Sequence, residues 1–467
     1  MNGLGALRAR VAHDLETLTL DAKAWGEAKD GVYDVVIVGG GQSGLGAAFG
    51  LLREKVTSVL VIDENGAGEE GPWVTYARMI TLRTPKELLS IESGLPSLAF
   101  RSWWEAQHGL EGWQALGKIP RGEWMAYLKW FRDVLAVPVE NGTKLLRIAP
   151  RGDGVHVLTV RSAAGERSIL ARKVILATGI QGGGEWHTPS MISDALPKSR
   201  YAHTSEAVDY AALAGKRIGI LGGGASAFDN ANWALEQGVG EAHVFVRRAA
   251  LPQVNPIRFM ERTGFVPRFA ALDDADKYGV IASFLERNQP PTNDTFQRAA
   301  ERPGFRLHLG SPWTSVRETP EGVAVTTPKG VFMLDFLVLS TGLLTDCALR
   351  PELADVAAKI ALWRDKRPAL DGKPHPLIDD HPYLGPGFQF TPKAPEDAAA
   401  IHGLFAFNYS ALASFGLSAS AISGLRYAIP RLAAAVADQL FRDDKAKWMQ
   451  AYIAYDEPEF VSTWTAP

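Results

Sequence analysis

Residues 33–44 read YDVVIVGGGQSG and decide the fold of this chain. The run 33–38 is apolar and β-branched, which is typical of a parallel strand buried on both faces. It leads directly into glycines, and the alanine- and leucine-rich segment 45–52 that follows favours a helix. A second apolar run, Val59–Ile62, ends at Asp63. The order strand, glycine turn, helix, strand predicts a parallel nucleotide-binding unit.

The same order recurs in the middle of the chain. Residues 217–221 read RIGIL, and they are followed by Gly222–Gly224, a helix through residue 237 and a strand over 242–246. This second unit ends at Arg247 and Arg248 instead of at an acid. A repeat on this scale indicates two domains of one design.

Each unit is followed by short strands separated by glycine-containing turns. Three strands lie between residues 144 and 175 and lead to Thr178-Gly179. We expect the second tail to repeat this meander before Thr341-Gly342, with strands over 306–309, 313–318, 323–327 and 332–339.

The predicted fold class is therefore α/β, with two dinucleotide-binding Rossmann-like domains, each a parallel sheet with a small antiparallel meander. Because chain remains after Gly342 to complete the opening sheet, we predict that the second domain is inserted into the first. The predicted bounds are 1–195 and 336–467 for the two parts of the first domain, and 196–335 for the second.

Both glycine turns have the spacing that a dinucleotide pyrophosphate requires. They consist of Gly39, Gly41 and Gly44 in the first copy, and of Gly222 and Gly224 with Ala227 in the third place in the second. The first glycine permits the tight turn, the second lets the backbone approach a pyrophosphate, and the third allows close helix–strand packing. The helix N-terminus then offers free N–H groups and a positive dipole end. A single copy would also fit an unrelated glycine-rich turn, but two correctly framed copies favour dinucleotide binding.

In each of the two units, the residues that follow the second strand indicate which dinucleotide the unit binds. Asp63, with Glu64 as the adjacent alternative, follows Gly39 at the distance where an acid accepts hydrogen bonds from ribose hydroxyls. Arg247 and Arg248 occupy the corresponding place in the second unit, where arginine binds a 2′-phosphate. The first site therefore suits FAD and the second NADPH. The alternative for the arginine pair is a solvated surface turn.

Further segments resemble the class B flavin-dependent monooxygenases, which include flavin-containing monooxygenases, their plant auxin-pathway relatives and N-hydroxylating amine monooxygenases. Gly71-Pro72-Trp73 followed by residues 80–86, ITLRTPK, is similar to the family segment beside the flavin. Thr178-Gly179 and Thr341-Gly342 resemble the two strand ends that approach the cofactors. Residues 119–130, with Arg121 near the start, resemble a helix of the N-hydroxylating branch.

The resemblance implies a monooxygenase that uses FAD and NADPH and transfers one oxygen atom of O₂ through a flavin C(4a)-hydroperoxide. The favoured reaction is N- or S-oxygenation of a small organic molecule. We predict His203 and Gln42 as catalytic candidates. The predicted cofactor-binding residues are Gly39, Gly41, Gln42, Ser43, Gly44, Asp63, Glu64, Trp73, Arg83, Thr178, Gly179, Gly222, Gly224, Ser226, Arg247, Arg248, Thr341, Gly342 and Leu417.

The family's histidine fingerprint is incomplete in this chain. His203 stands at the family's distance before Gly222, but Pro197 and Ser199 replace the expected Phe and Gly, and Tyr210 is displaced from the aromatic position. A structural histidine is the equal alternative to a functional one.

Two other segments have both a packing and a functional interpretation. Five of the 13 tryptophans lie within 103–130, where packing against the first domain is favoured over a substrate-facing role. Residues 416–418 precede an alanine-rich helix, kinked or interrupted at Pro430, whose N-terminus would by resemblance stabilise reduced flavin. A plain C-terminal packing helix is the alternative.

Composition excludes several other classes of protein. The chain has 467 residues and a net charge of −3, which gives no reason to expect a nucleic acid or an anionic membrane as partner. A single cysteine, Cys347, excludes a disulfide reductase, and neither a hydrolase motif nor a metal motif is present. We expect a cytoplasmic enzyme that acts on a small-molecule substrate and uses molecular oxygen. Whether it assembles into a homo-oligomer is left open by the sequence. The alternatives are a Baeyer–Villiger monooxygenase acting on ketones and a non-catalytic flavin redox sensor.

Overall fold

A computed structural model of the chain describes residues 3–20, 24–26, 29–366, 373–460 and 462–464. From its sequence the stretch up to Asp30 also reads as a helical lead-in. The structure forms one helix there, which ends at Thr17, and residues 21–23 and 27–28 of that stretch lie outside the described residues. The elements up to the end of the first tail are α1 Leu4–Thr17, β1 Val32–Val38, α2 Gln42–Arg53, β2 Val59–Ile62, α3 Phe100–Ala115, α4 Arg121–Val134, β3 Val139–Glu140, β4 Lys144–Pro150, β5 His156–Ser162, β6 Gly165–Leu176 and β7 Gly184–Trp186.

The middle of the chain contributes the second domain. Its elements are α5 Ser190–Ser193, β8 Tyr201–His203, β9 Arg217–Leu221, α6 Ala225–Glu236, β10 Glu241–Phe245, α7 Pro256–Arg262, α8 Phe265–Arg268, α9 Asp274–Arg287, α10 Asn293–Ala300, β11 Phe305–His308, β12 Ser315–Thr319, β13 Gly322–Thr327, β14 Gly330–Leu334 and β15 Phe336–Leu339. The chain then returns to the first domain with β16 Leu343–Thr345, α11 Trp363–Lys366, α12 Ala398–Ile401, β17 Leu404–Ala406, α13 Leu412–Phe415, α14 Ile422–Asp443 and α15 Lys445–Ala454.

The first sheet joins its parallel part and its meander through one long strand. Its order is β3-β2-β1-β6-β5-β4, with β17 also paired to β6. The first half of β6 runs antiparallel to β5, while its second half lies between the parallel strands β1 and β17. The strand β1 is buried at Val35, Val36 and Ile37, as its unbroken apolar run predicts.

The second domain separates its meander from its parallel sheet. The sheet has the order β11-β10-β9-β15-β8, and all its pairings are parallel; β12, β13 and β14 form a sheet of their own. The single strand predicted over 332–339 is therefore wrong. It breaks at Asp335, whose backbone N–H donates to the Arg217 carbonyl and whose carboxylate accepts from the Arg217 N–H.

The placement of residues 306–309 in the meander is also wrong. The strand there, β11, lies parallel to β10 at the edge of the second sheet, with Val244 opposite Leu307. A short alternating strand matches either environment, and only its distant partner selects between them.

The second domain is inserted into the first, as predicted. After β15 the chain returns through β16, which pairs with β7, and β17 then adds to the first sheet with Phe405 opposite Ile175. The strand β15 belongs to the second sheet although it lies beyond the predicted boundary at residue 335.

The late helix α14 packs closely on α2. A Cβ atom at Gly46 or Gly50 of α2 would come within 2.4 or 2.7 Å of Ile429 side-chain atoms, so these glycines permit the approach. Pro430 lies inside α14, which continues to Asp443, so the expected interruption does not occur. Across the described ranges, none of the helices combines the length and apolarity that crossing a membrane requires.

Candidate functional site

The first glycine turn has no room for a side chain at its first and third glycines. Gly39 adopts φ +108°, and a Cβ there would lie 2.4 Å from the Ala177 carbonyl oxygen. A Cβ at Gly44 would lie 1.8 Å from the Gly39 carbonyl oxygen, so the third glycine lets α2 approach the turn. Asp63 fixes the turn because its Oδ2 accepts the Gly40 N–H at 2.7 Å.

The helix α2 presents an uncapped N-terminus behind this turn. Its N-cap residue is Gly41, and no side chain caps the first turn. Gln42 accepts a hydrogen bond from Trp124 Nε1 at 3.1 Å, and the Ser43 hydroxyl donates to the Ala419 carbonyl at 3.4 Å. The first-turn amides therefore have no side-chain acceptor, which fits an anionic pyrophosphate.

The second glycine turn has the same construction. Gly222 adopts φ +139°, and a Cβ there would lie 2.4 Å from the Ser340 carbonyl oxygen. Gly224 is the N-cap of α6, again without a capping side chain, and a Cβ on it would meet nothing within 4 Å. Ser226 lies exposed on the first turn of α6, and Ala227 is buried in the third-glycine place. The residues of both turns thus fit two dinucleotides.

The two acids at the end of β2 face different surroundings. Asp63 is buried, its Oδ1 accepts from Asn65, and burial raises its pKa, although hydrogen bonds from Asn65 and Gly40 act in the opposite direction. Glu64 is exposed and pairs with Lys144 at 2.9 Å. Of the two, Asp63 is therefore the one that lies against the glycine turn.

The two arginines after β10 also differ. Arg248 donates to the carbonyls of Glu286 at 2.5 Å and Arg287 at 3.1 Å, so it caps the C-terminus of α9. Arg247 is exposed, and its guanidinium has no hydrogen bond or ion pair within the part of the chain that the structure describes.

Each Thr-Gly strand end is held by residues from a distant part of the chain. Asn408 donates to the Thr178 hydroxyl at 3.1 Å, and the Gly179 carbonyl accepts the Tyr409 N–H at 3.1 Å. In the second domain the Thr341 hydroxyl donates to the His187 carbonyl, and the Gly342 carbonyl accepts the His187 N–H at 2.9 Å. Both strand ends therefore open toward connections between the two domains.

The turn before α14 is covered by the second domain. Gly416 adopts φ +61°, and a Cβ on it would lie 2.9 Å from the Phe269 ring. Leu417 is buried in a core that includes Phe269 and Ile281 from the helices after β10.

His203 lies buried at the end of β8 against Trp186, with ring centroids 5.0 Å apart. The Ser205 backbone N–H donates to its Nδ1 at 3.2 Å, so Nδ1 is an acceptor and the neutral ring carries its proton on Nε2. Burial lowers the pKa of His203 to about 4, against smaller opposing contributions from Glu206 and the Gly342 carbonyl. The Nε2 atom is buried and has no hydrogen bond of normal geometry among the described residues.

An aromatic row connects His203 to the first domain. Tyr76 packs edge-on against Trp186, with centroids 6.1 Å apart. Trp73 is buried three residues earlier in the same segment and lies edge-on to Trp124, with centroids 6.4 Å apart. Tyr76, which lies between the two predicted parts of the flavin-side segment, therefore contacts Trp186 of β7, and Trp186 in turn packs on His203 of the second sheet.

Three arginines of the first domain face α6 of the second. Arg83 forms an ion pair with the buried Asp229, whose pKa burial raises and Arg83 lowers. The guanidinium carbons of Arg78 and Arg121 lie 5.7 and 5.8 Å from the Trp233 ring centroid. Burial and the charge of Arg78 lower the pKa of Arg121. Within the described residues, neither Arg78 nor Arg121 pairs with a carboxylate.

The tryptophan-rich segment mainly packs, as the favoured interpretation predicts. Trp103, Trp124 and Trp130 are buried in the core of the first domain. Trp113 and Trp124 also border a cavity of about 230 Å³ together with Leu82, Lys86 and Ile422. The Lys86 ammonium donates to the Trp113 carbonyl at 2.6 Å, so it is held at the end of α3.

Sequence reasoning missed Tyr76, Arg78, Trp186 and Trp233. No glycine spacing or predicted strand end marks these residues. Trp186 meets His203 and Arg78 meets Trp233 across the two domains, and Tyr76 meets Trp186 from far along the chain. Arg78 lies between Trp73 and Arg83, which were predicted, so its position in that segment is the one signal that could have found it. Among the described residues, no group of His, Cys, Asp and Glu side chains could hold a metal ion.

Two family models match the chain. A FAD-NAD(P)-binding model matches residues 36–181, which include the first glycine turn and the first tail. An L-lysine 6-monooxygenase/L-ornithine 5-monooxygenase model matches residues 113–284, which include the second glycine turn.

Similar proteins cover nearly the whole chain. A FAD-dependent urate hydroxylase of Xanthomonas campestris pv. campestris is 60% identical over 99% of this chain and 98% of its own length. The ornithine hydroxylase of Pseudomonas aeruginosa matches with a TM-score of 0.69 and 20% identity over 88% of this chain and 100% of that one. The ornithine N-hydroxylase of Kutzneria sp. 744, in a structure with reduced FAD, NADP⁺ and L-ornithine, matches with a TM-score of 0.67 and 15% identity over 87% and 99%.

The two solved structures share the fold of this chain, and the 60% identical relative establishes the family. The two nucleotide sites and the matched models agree on the cofactors, FAD and NADPH. The chain therefore belongs to the class B flavin-dependent monooxygenases, sharing its fold with the N-hydroxylating enzymes, and it is an NADPH-dependent flavin monooxygenase.

Proposed function

We propose that the protein is a FAD- and NADPH-dependent urate hydroxylase. The observation that carries this proposal is the 60% identity, over 99% of the chain, to a FAD-dependent urate hydroxylase. The overall reaction consumes urate, NADPH, O₂ and a proton, and it yields a hydroxylated purine, NADP⁺ and water. FAD supplies the redox chemistry, since it accepts hydride from NADPH and activates O₂.

The protein's own residues bind and orient the cofactors. The amides at the N-termini of α2 and α6 would bind the two pyrophosphates, and Asp63 would accept a ribose hydroxyl beside Gly39. Arg247, which is exposed after β10, would bind the 2′-phosphate of NADPH, whereas Arg248 is held at the end of α9. Thr178, Gly179, Thr341 and Gly342 would border the cofactors where the two domains meet.

His203 would act as a neutral hydrogen-bond donor. Its pKa of about 4 means that the ring is uncharged at neutral pH, and the Ser205 N–H on Nδ1 leaves the proton on Nε2. A neutral imidazole can hold a cofactor carbonyl or amide oxygen, but it cannot supply a proton as an imidazolium would. Gln42, which Trp124 orients at 3.1 Å, would contact FAD at the first helical position.

Amine N-hydroxylation is the second candidate function. The lysine/ornithine monooxygenase model that matches residues 113–284 favours it. Against it stands the charge at the domain boundary, because Arg78 and Arg121 have no carboxylate partner among the described residues and would repel a substrate ammonium group.

The test measures NADPH oxidation by the FAD-loaded enzyme in air with separate additions of urate, L-ornithine, methyl phenyl sulfide and cyclohexanone. Urate alone should accelerate NADPH consumption, with one hydroxylated purine detected by mass spectrometry per NADPH consumed. Coupled turnover of ornithine, the sulfide or the ketone instead would assign N-oxygenation, S-oxygenation or Baeyer–Villiger chemistry. Failure of NADPH to reduce the bound flavin would favour the redox sensor.

A further inference from the structure

Arg78 and Arg121 place two uncompensated positive charges in one partly buried location. The two chain segments that carry them are joined, since the Arg121 N–H donates to the Ile80 carbonyl at 3.1 Å and the Leu82 N–H donates to the Ile119 carbonyl at 2.8 Å. Both guanidinium groups lie within 6 Å of the same indole, Trp233 of α6. The fold therefore holds the two cations together at the boundary between the two domains.

Within the part of the chain that the structure describes, these two groups have no carboxylate partner. Arg78 donates to the Thr75 carbonyl at 2.8 Å through one Nη atom, while its Nε is buried without a hydrogen-bond partner in the described part of the chain. Arg121 donates to the Trp73 carbonyl. Carbonyl oxygens and an indole face reduce the cost of two neighbouring cations but do not neutralise them. Arg83 in the same segment provides the contrast, because it has Asp229 as a counter-ion.

The phosphates of the two cofactors have other candidate sites. Each pyrophosphate has a glycine turn and an uncapped helix N-terminus, and Arg247 is available for the 2′-phosphate. The remaining anion in the proposed reaction is the substrate, since uric acid is a weak acid that is a monoanion at neutral pH. Its flat ring carries several carbonyl oxygens, which match the planar fork of a guanidinium.

We propose that Arg78, supported by Arg121 and Trp233, binds the anionic purine substrate through its free Nε–H and adjacent Nη–H. Arg78 is then a specificity-determining residue, which selects an anionic planar substrate against the cationic amines. This inference rests on the proposed urate hydroxylase function.

The experiment measures urate binding to the FAD-loaded protein with NADP⁺ present, by isothermal titration calorimetry. The variants are Arg78→Gln, Arg78→Lys and, as matched control, Arg161→Gln, which removes an exposed arginine paired with Glu166 in the first meander. Loss of a charge-assisted pair should raise the Kd of Arg78→Gln by roughly 10- to 100-fold. Arg78→Lys should be intermediate, and Arg161→Gln should bind as wild type does.

The KM of Arg78→Gln for urate should rise in parallel with its Kd. Its FAD content and its rate of flavin reduction by NADPH should stay at wild-type values, which would show that the variant is folded. If Arg78→Gln binds urate as wild type does but has a raised KM for NADPH, the two arginines bind a dinucleotide phosphate instead. This result would overturn the inference about Arg78 and leave the proposed urate hydroxylase function standing. A wild-type protein that does not bind urate would overturn both the inference and the proposed function.

Discussion

Burial fixes the protonation state of two histidines, His203 and His381, each of which has its pKa lowered to about 4. The unfolded chain takes up these protons near the ordinary histidine pKa, whereas the folded protein does so only near pH 4. The contribution of these two histidines to the free energy of unfolding should therefore be constant above about pH 7. It should fall as the pH decreases from about 6.5 toward 4.

This residue-scale prediction is checked by urea unfolding at neutral pH and at about pH 5. The variant His203→Gln keeps a side-chain N–H donor but cannot titrate, so its loss of stability on acidification should be smaller than that of wild type by roughly 1–2 kcal/mol. Identical losses in both proteins would show that His203 titrates normally in the folded state.

Individual site residues differ in how far sequence identifies them. The glycines of both turns were predictable because each position has a local steric reason, such as the 2.4 Å between a Cβ at Gly39 and the Ala177 oxygen. Arg248 follows a strand end as a phosphate-binding arginine would, yet its partners are carbonyls of α9, nearly 40 residues later. The contact of Trp186 with His203 and that of Arg78 with Trp233 depend on how two domains meet, which no local pattern encodes.

At the scale of elements, the close approach of α2 to its own turn should be necessary for retaining FAD. Gly44→Ala places a Cβ 1.8 Å from a backbone oxygen, which a side-chain movement cannot relieve. We expect this variant to be purified with less than about a tenth of the wild-type flavin absorbance, because the pyrophosphate site is displaced.

The matched control for this element is Gly122→Ala on α4, where an added Cβ would meet nothing within 4 Å. It should retain flavin fully, with stability equal to wild type or higher by up to about 1 kcal/mol, because alanine favours a helix over glycine. Full flavin content in Gly44→Ala would contradict the predicted role of the turn.

The strands themselves were largely predictable from apolar runs, but their partners were not. The strand β6 passes unbroken from meander to parallel sheet, and the equivalent run 332–339 reads as continuous too. The distant Arg217 divides it into β14 and β15, because the Arg217 carbonyl accepts the Asp335 N–H and the Arg217 N–H donates to the Asp335 carboxylate.

At the scale of the whole molecule, the Arg83–Asp229 ion pair joins the two domains. Arg83→Met would leave the buried Asp229 carboxylate without its cationic partner. We expect a loss of roughly 2 kcal/mol in the free energy of unfolding. This loss is smaller than for a fully buried ion pair, because Arg83 is partly exposed to solvent. Asp229→Asn combined with Arg83→Met should lose less than the sum of the single variants, measured by urea unfolding as a double-mutant cycle. Strict additivity would show that the pair contributes nothing.

A second ion pair fastens the C-terminal end of α14 to the first sheet. Lys173 of β6 is fully buried and donates to Asp443 at 2.6 Å. Burial acts to raise the pKa of Asp443, but the hydrogen bonds from His402 and Lys173 outweigh this effect and lower the pKa to about 2. Asp443→Ala should cost about 3 kcal/mol because it leaves a buried ammonium group without its carboxylate. Lys173→Met should cost about 1 kcal/mol or less, because Asp443 keeps His402 and reaches solvent.

Chemical denaturation of these two variants measures the asymmetry. Equal losses, or a larger loss in Lys173→Met, would contradict this account. The contribution of Asp443 to stability should be complete above the ordinary aspartate pKa of about 4 and should be lost as the pH falls from there to about 2, because the unfolded chain takes up the proton first.

The insertion of one domain into another also sets the order in which the molecule can be completed during synthesis. The ribosome releases every strand of the second sheet, through Leu339, before it reaches Leu404–Ala406, the last strand of the first. At 5–20 residues per second, the roughly 65 residues between them take on the order of 3–13 s, ample time for a compact domain to fold. The nascent chain therefore finishes its inner nucleotide site while the outer one still lacks a strand, so the outer sheet can be completed around its cofactor only after residues 404–406 have been synthesised.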